Sequence, residues 1–257
     1  RWALGGRMVH KPFVITEHAN AFWNRYRYEQ SFVTGAYGAF QNVDVLTNFA
    51  SLIGVEFSTR IHPFLTVHDP ILRSSEFLTF FMFRRGDVKG ADSQVRIVSD
   101  FEEVYRKFQQ NNTIASAQSK LCLVTGFALE MKGSGPEIPL AEREIAIPRL
   151  GGAGVHSDTA GFSSVTGDLA DALFDGDKMI RDLKARNLIP AANRTSMSNN
   201  FYESSTGELV MDVRNHFGRV KTPNLQAIYA EKGASTDLGN LKINEMTIKG
   251  NLGLVSV

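Results

Sequence analysis

Between Phe13 and Phe49 the chain lays out a strand, a helix and a second strand with little sequence left over to connect them. Phe13 to Thr16 is a short apolar, β-branched run behind Pro12, the pattern of a strand buried on both faces of a parallel sheet. Phe32, Val33, Ala36, Ala39 and Phe40 then recur at the spacing of one helix face, which predicts a helix from about Tyr28 to Phe40. Val43 to Phe49 reads as the next strand. This order on short connections predicts a right-handed parallel crossover, as in two units of an α/β barrel. Glu17 then falls at the C-terminal edge of its strand, where parallel barrels present their reactive groups.

Asp69-Pro70 punctuates the chain, and the apolar stretch Ile71 to Phe83 is expected to be a helix on the outer face of the same sheet, ending at Arg84-Arg85-Gly86-Asp87. Val95, Ile97 and Val98 suggest a strand. Ser99 and Glu102 are spaced as a capping box opening a helix that ends near Asn111. Leu121 to Leu129 is strand-like, Gly151-Gly152 reads as a turn, and Met179, Ile180 and Leu183 predict a helix over Gly176 to Arg186. From Glu208 onward short strands alternate with turns: Glu208 to Asp212, Arg219 to Lys221, Leu225 to Ala230, Leu241 to Ile248 and Leu252 to Val257. That spacing suits a β-sandwich. The division expected is residues 1–90 as the strands and helices of a barrel, and 91–257 as a β-rich, sandwich-like accessory domain with helical insertions.

Lysine and arginine total 28 against 27 acidic residues, a net charge of +1 that supplies no field to recruit nucleic acid or an anionic membrane. A neutral ligand fits better. Cys122 is the sole cysteine, so neither an internal disulfide nor a multi-cysteine metal site can form. His62, His68 and Asp69 lack the ligand set a metal centre needs, and no metal or other cofactor is expected. No apolar run approaches the roughly 20 residues of a membrane helix. Asn193-Arg194-Thr195 fits the glycosylation pattern but is short enough to arise by chance.

Several stretches, in order, resemble bacterial glycoside hydrolases built on a (β/α)8 barrel with a C-terminal β-sandwich, from the clan of retaining enzymes that use two glutamates. Lys11-Pro12-Phe13-Val14-Ile15-Thr16-Glu17 is similar to their seventh barrel strand, and Asn24-Arg25-Tyr26-Arg27-Tyr28-Glu29 to the opening of the following helix. Ala36 to Asn48, with Gln41 and Asp44, is similar to that helix's end and the eighth strand. Phe83-Arg84-Arg85-Gly86-Asp87-Val88 resembles the phrase closing the barrel. Ser205-Thr206-Gly207-Glu208-Leu209 and Thr222-Pro223-Asn224-Leu225-Gln226 resemble two strands of the sandwich.

The resemblance implies hydrolysis of O-glycosidic bonds in a poly- or oligosaccharide, with Glu17 as the nucleophile. It also implies a second carboxyl, the acid/base, about 5–5.5 Å away. In the family that group comes from the fourth strand, which would lie before Arg1, so the chain is expected to be the C-terminal portion of a longer bacterial protein, inert without the remaining N-terminal part. His18, Asn20, Trp23 and Asn24 would line the cleft, since sugar rings stack on aromatic faces and their hydroxyls need directional partners. Phe49 stands where the clan often has a tryptophan platform, and is either a weaker stacking surface or a core residue. Asn244-Glu245 has the look of the clan's acid/base pair but lies on the wrong side of Glu17. The alternative for Glu17 itself is a structural carboxylate paired with Arg25 or Arg27, while Glu29 and Arg27 either brace the loop as an ion pair or form a solvated helix start. The location expected is secreted, periplasmic or cell-surface. The competing expectation is a non-catalytic carbohydrate-binding or structural protein that keeps the scaffold.

Overall fold

The computed structural model describes residues 3–49, 62–106, 116–150 and 174–230, together with the backbone of 240–243 and 246–249. In chain order the elements are β1 (Val14–His18), α1 (Gln30–Phe40), β2 (Val45–Asn48), α2 (Pro70–Thr79), β3 (Gln94–Asp100), α3 (Phe101–Arg106), α4 (Ser116–Ser119), β4 (Gly126–Lys132), β5 (Glu144–Pro148), α5 (Gly176–Ala185), β6 (Phe201–Glu203), β7 (Leu209–Asp212), β8 (Phe217–Lys221), β9 (Gln226–Tyr229), β10 (Asn240–Ile243) and β11 (Met246–Lys249). The architecture mixes helices with parallel and antiparallel sheets, and among the described residues no helix is long and apolar enough to cross a membrane. The chain forms two compact units, one of residues 1–13 with 91–206 and the other of 14–90 with 207–257.

In the unit of 14–90 and 207–257, β1 and β2 pair in parallel across α1, as the strand, helix, strand order predicts. The helix is held on two sides by glycines. A Cβ on Gly38 would stand 2.7 Å from Leu46 Cδ1 of β2, and one on Gly35 2.7 Å from the Thr79 Cα of α2, so the absence of side chains lets sheet and helix approach α1 closely. Asp69 caps α2 by accepting the Ile71 N–H at 2.9 Å, with Pro70 in the first turn. The expected helix over Ile71 to Phe83 instead gives way after Thr79 to a π-helical turn over Phe80–Arg84. Gly86 then turns the chain with φ +79°, and the Arg85 guanidinium pairs with the Asp87 carboxylate across it.

The double burial expected of β1 is not observed. Val14 and Val45, cross-strand partners, are each 45 % exposed, because α1 covers the Leu46 face and no described residue covers the other. In the same unit β7, β8 and β9 form an antiparallel ladder, with Phe32 of α1 packed edge-on against Tyr229 of β9 at 4.8 Å. The Lys89 N–H donates to Glu208 Oε2 at 2.9 Å. Leu241 to Ile248, expected as one strand, is a hairpin of β10 and β11 in which Ile243 pairs with Met246. Asn244 and Glu245 lie outside the described residues, as do Gly151, Gly152 and Leu252 to Val257.

In the unit of 1–13 and 91–206, three strands run parallel in the order β4-β3-β5. Sandwich strands run antiparallel, so this part of 91–257 departs from that expectation. Val95 and Ile97 of the central strand are fully buried. Between them Arg96, also buried, lies across from Ala128 and Ala146, whose small side chains leave room for it. Its guanidinium donates to the Ile138 and Pro139 carbonyls at 2.9 and 3.0 Å and pairs with Glu144, which satisfies a charge that would otherwise be costly to bury. Ser99 sits inside β3 and its buried hydroxyl has no partner among the described residues, so the predicted capping box does not form and the helix begins at Phe101. The continuation toward Asn111 lies outside the described residues. Cys122 is buried and forms no disulfide. The Asn193 amide nitrogen donates to the Glu203 and Ser204 carbonyls at 2.9 and 3.3 Å, so the glycosylation pattern here is a structural asparagine.

Candidate functional site at the C-terminal edge of the parallel pair

The register of β1 against β2 decides which side chains reach their C-terminal edge. Val14 pairs with Val45 and Ile15 with Leu46, but the next pair is His18 with Asn48. Strand β1 therefore carries one extra residue between Ile15 and His18, a bulge of the kind that re-aims a side chain beside a site. Glu17 lies in that irregular stretch, exposed, with no hydrogen bond or ion pair among the described residues. Among the described residues neither Arg25 nor Arg27 pairs with it. Arg27 binds Asp69, its Nε 2.6 Å from Oδ2, and Arg25 lies 5.0 Å above the Tyr26 ring. Arg27 is likewise not the partner of Glu29.

His18 is held where Glu17 is free. Its Nδ1 lies 2.9 Å from the Thr47 carbonyl, which makes Nδ1 the N–H donor, and its backbone carbonyl accepts the Phe49 N–H at 3.0 Å. Burial holds the imidazole below its usual pKa, against the opposing charge of Glu76 and the bond to Thr47. The ring is thus neutral near pH 7, with the Nε2 lone pair buried and without a hydrogen-bond partner among the described residues. Glu76, from α2, accepts the Asn48 side-chain amide at 2.7 Å and the Ser31 hydroxyl at 2.8 Å, and Ser75 donates to Ser31 at 2.9 Å. Glu76 and Ser31 are site residues that the sequence reading missed. The available signal was the lone acidic residue of the stretch Ile71 to Phe83, which apart from Arg73 is otherwise apolar or small.

The remaining expected residues divide by role. The Asn20 N–H bonds the Gln30 side-chain carbonyl, fixing the loop after β1 to the start of α1. Asn24 accepts the Tyr26 N–H at 2.9 Å through its own side chain, closing a local turn. Trp23 is 64 % exposed and Phe49 is 44 % exposed, so Phe49 is a surface residue and not a core phenylalanine. Phe64, which the sequence reading did not single out, lies between them. Its ring centroid is 6.1 Å from Trp23 and 6.0 Å from Phe49, and it is 38 % exposed.

His62, His68 and Asp69 do not converge on a cation: Asp69 is committed to Arg27 and the α2 cap, and among the described residues no cluster could hold a metal ion. An open cleft of about 450 Å³ lies at the opposite, N-terminal end of β2, between Asn42, Asp44, Phe83 and Arg84. It is remote from the edge where strand ends present chemistry in parallel sheets. No protein family matches the chain, and neither a curated protein nor a solved structure is detectably similar to it.

Proposed function

We propose that the chain is the C-terminal portion of a retaining glycoside hydrolase, with β1 and β2 as strands of a (β/α)8 barrel, the later β-strands as a sandwich-like accessory region, and Glu17 as the nucleophile. What supports the reading most is the state of Glu17: an exposed carboxylate at the C-terminal end of a parallel strand, set there by a bulge and without a hydrogen bond or ion pair among the described residues. A structural carboxylate would be paired. A nucleophile must instead keep an oxygen open to the sugar carbon.

In such a mechanism Glu17 attacks the anomeric carbon as a second carboxyl protonates the departing oxygen, and that second group then activates the water that frees the enzyme. The reading assigns the second carboxyl to a strand N-terminal to Arg1. His18 and Asn48, locked by Thr47 and Glu76, form a rigid polar floor beside the nucleophile. Glu17→Gln in the parent protein should lower kcat on its polysaccharide at least about a thousand-fold while leaving thermal stability unchanged. Full turnover by Glu17→Gln would refute the assignment.

A further inference from the structure

The turn between β7 and β8 is shaped to present one imidazole. The Asp212 carboxylate accepts the Asn215 N–H at 3.2 Å and its side-chain amide at 2.7 Å, which folds the turn, and His216 follows in the left-handed region with φ 45°, a conformation that sterics disfavour for a residue with a Cβ. There the ring lies flat on Tyr26, with centroids 4.3 Å apart and planes 6° apart, and its Nδ1 is 3.8 Å from Glu29 Oε1. Tyr26 and Glu29 belong to the segment that leads from the loop after β1 into α1. That segment is closed on itself: the Asn24 side chain accepts the Tyr26 N–H at 2.9 Å, and the Arg27 and Glu29 N–H groups donate to the Asn24 and Tyr26 carbonyls at 3.1 and 3.0 Å. One histidine, distant in sequence, therefore touches it at two points.

The contact is electrostatically unfinished. Glu29 Oε1 is buried without a hydrogen-bond partner among the described residues, and 3.8 Å is within ion-pair range but beyond that of a hydrogen bond. An imidazolium would supply the missing donor and set a cation on the Tyr26 face. We propose that His216, Tyr26 and Glu29 form a proton-operated latch, which fastens the Asn24–Glu29 segment to the β7–β8 turn when imidazolium meets carboxylate. The latch opens toward alkaline pH, where imidazole loses its proton, and again in acid, where Glu29 gains one. Burial holds the Glu29 carboxyl above its usual range, which raises the acid limit and narrows the closed window. The neighbouring charges leave this pair in control. Arg25 lies 5.0 Å over the Tyr26 ring, but it and Arg214 are exposed and screened by solvent. Arg27 is bound to Asp69, Asp212 holds Asn215, and Arg219 alternates to the face of β8 opposite Gly218. Tyr28 and Tyr229, whose rings meet at 6.2 Å, are neutral phenols. Because the fastened segment continues the loop that leaves β1 beside Glu17 and carries Trp23, protonation sets how firmly that border is held.

Hydrogen exchange of the 257-residue chain between pH 8 and pH 4.5, read by mass spectrometry and corrected for the intrinsic pH dependence of exchange, tests the latch. Neither carbohydrate nor turnover is measured, so the outcome is separate from that of the glycosidase reading. Protection of peptides over 24–29 and 212–217 should rise together by about fivefold from pH 8 to pH 6 and fall again as Glu29 takes up its proton. His216→Asn, whose new side chain suits left-handed backbone, and Glu29→Gln should each hold both peptides at their pH 8 level, whereas His18→Gln should leave the rise in place. Wild-type protection that does not change with pH, or an equal rise in His216→Asn, would overturn the latch. So would a rise confined to one of the two peptides, which marks a local titration. Melting transitions show which variants fold, and Glu29→Gln carries the same test should His216→Asn not fold.

Discussion

Glu17 and His18 are adjacent in sequence and opposite in environment, one exposed and unpartnered, the other enclosed and bonded. The enclosure of His18 has a pH signature of known sign. Its folded pKa lies below the ordinary value of about 6.5, so in that window the unfolded chain takes up a proton that the folded chain refuses. Stability should therefore rise with pH through the window and level off above it. Urea titrations at a series of pH values check this, and His18→Gln should remove its part of the slope. Glu29 should behave in the opposite sense. Burial raises its pKa, partly offset by His216, whose Nδ1 lies 3.8 Å from Oε1 and whose ring stacks on Tyr26 at 4.3 Å. The folded chain then keeps a proton that the unfolded chain loses above about pH 4.3, and stability falls as pH rises through the folded value. Glu29→Gln should flatten that fall and His216→Ala should extend it to higher pH. Burial and the nearby Glu29 charge raise Tyr229 as well, so its hydroxyl stays protonated throughout.

The helix α1 and its two close contacts set the element scale. Alanine in place of a helix glycine ordinarily gains about 1 kcal/mol, and the structure predicts departures from that of unequal size at two positions. At Gly35 the new methyl meets the backbone of Thr79, so α2 itself must move, and Gly35→Ala should destabilise by about 1–2 kcal/mol. At Gly38 it meets the tip of Leu46, which can rotate, and the change should be near neutral. Asp69→Ala should cost about 2 kcal/mol or more, because the cap and the partner of Arg27 are lost together, whereas Asp69→Asn keeps the cap. Denaturation midpoints distinguish all four variants. These contacts also show what could be read in the sequence. Helix α1 was legible because Phe32, Ala36 and Phe40 repeat on one face and all three are buried. Glu17 at a strand edge followed from the apolar run before it. The β1 bulge was not legible, because an extra residue in a ladder leaves local composition unchanged and shows only against the partner strand. The paired strands β10 and β11 were merged for a similar reason: the turn between them carries no glycine or proline. Phe64 and Glu76 were missed because their partners are distant in sequence.

At the scale of the whole molecule, neither unit is one continuous stretch of chain. Residues 14–90 share their unit with 207–257, and Tyr28 and Phe32 contact Tyr229 while Tyr26 stacks on His216. A chain ending at residue 90 should therefore fail to fold cooperatively, which the absence of a sharp thermal transition would show. A cooperative transition equal to that of the intact protein would contradict the division. The hydrogen bond from the Lys89 N–H to Glu208 then acquires a topological meaning. The points where the chain leaves this unit and comes back to it lie side by side, the arrangement that tolerates a domain being spliced in or out. Residues 91–206 thus occupy the position of a cassette that packs with 1–13, and a chain begun at Val14 with Gly90 joined to Gly207 through a short linker should retain the Glu17 edge intact.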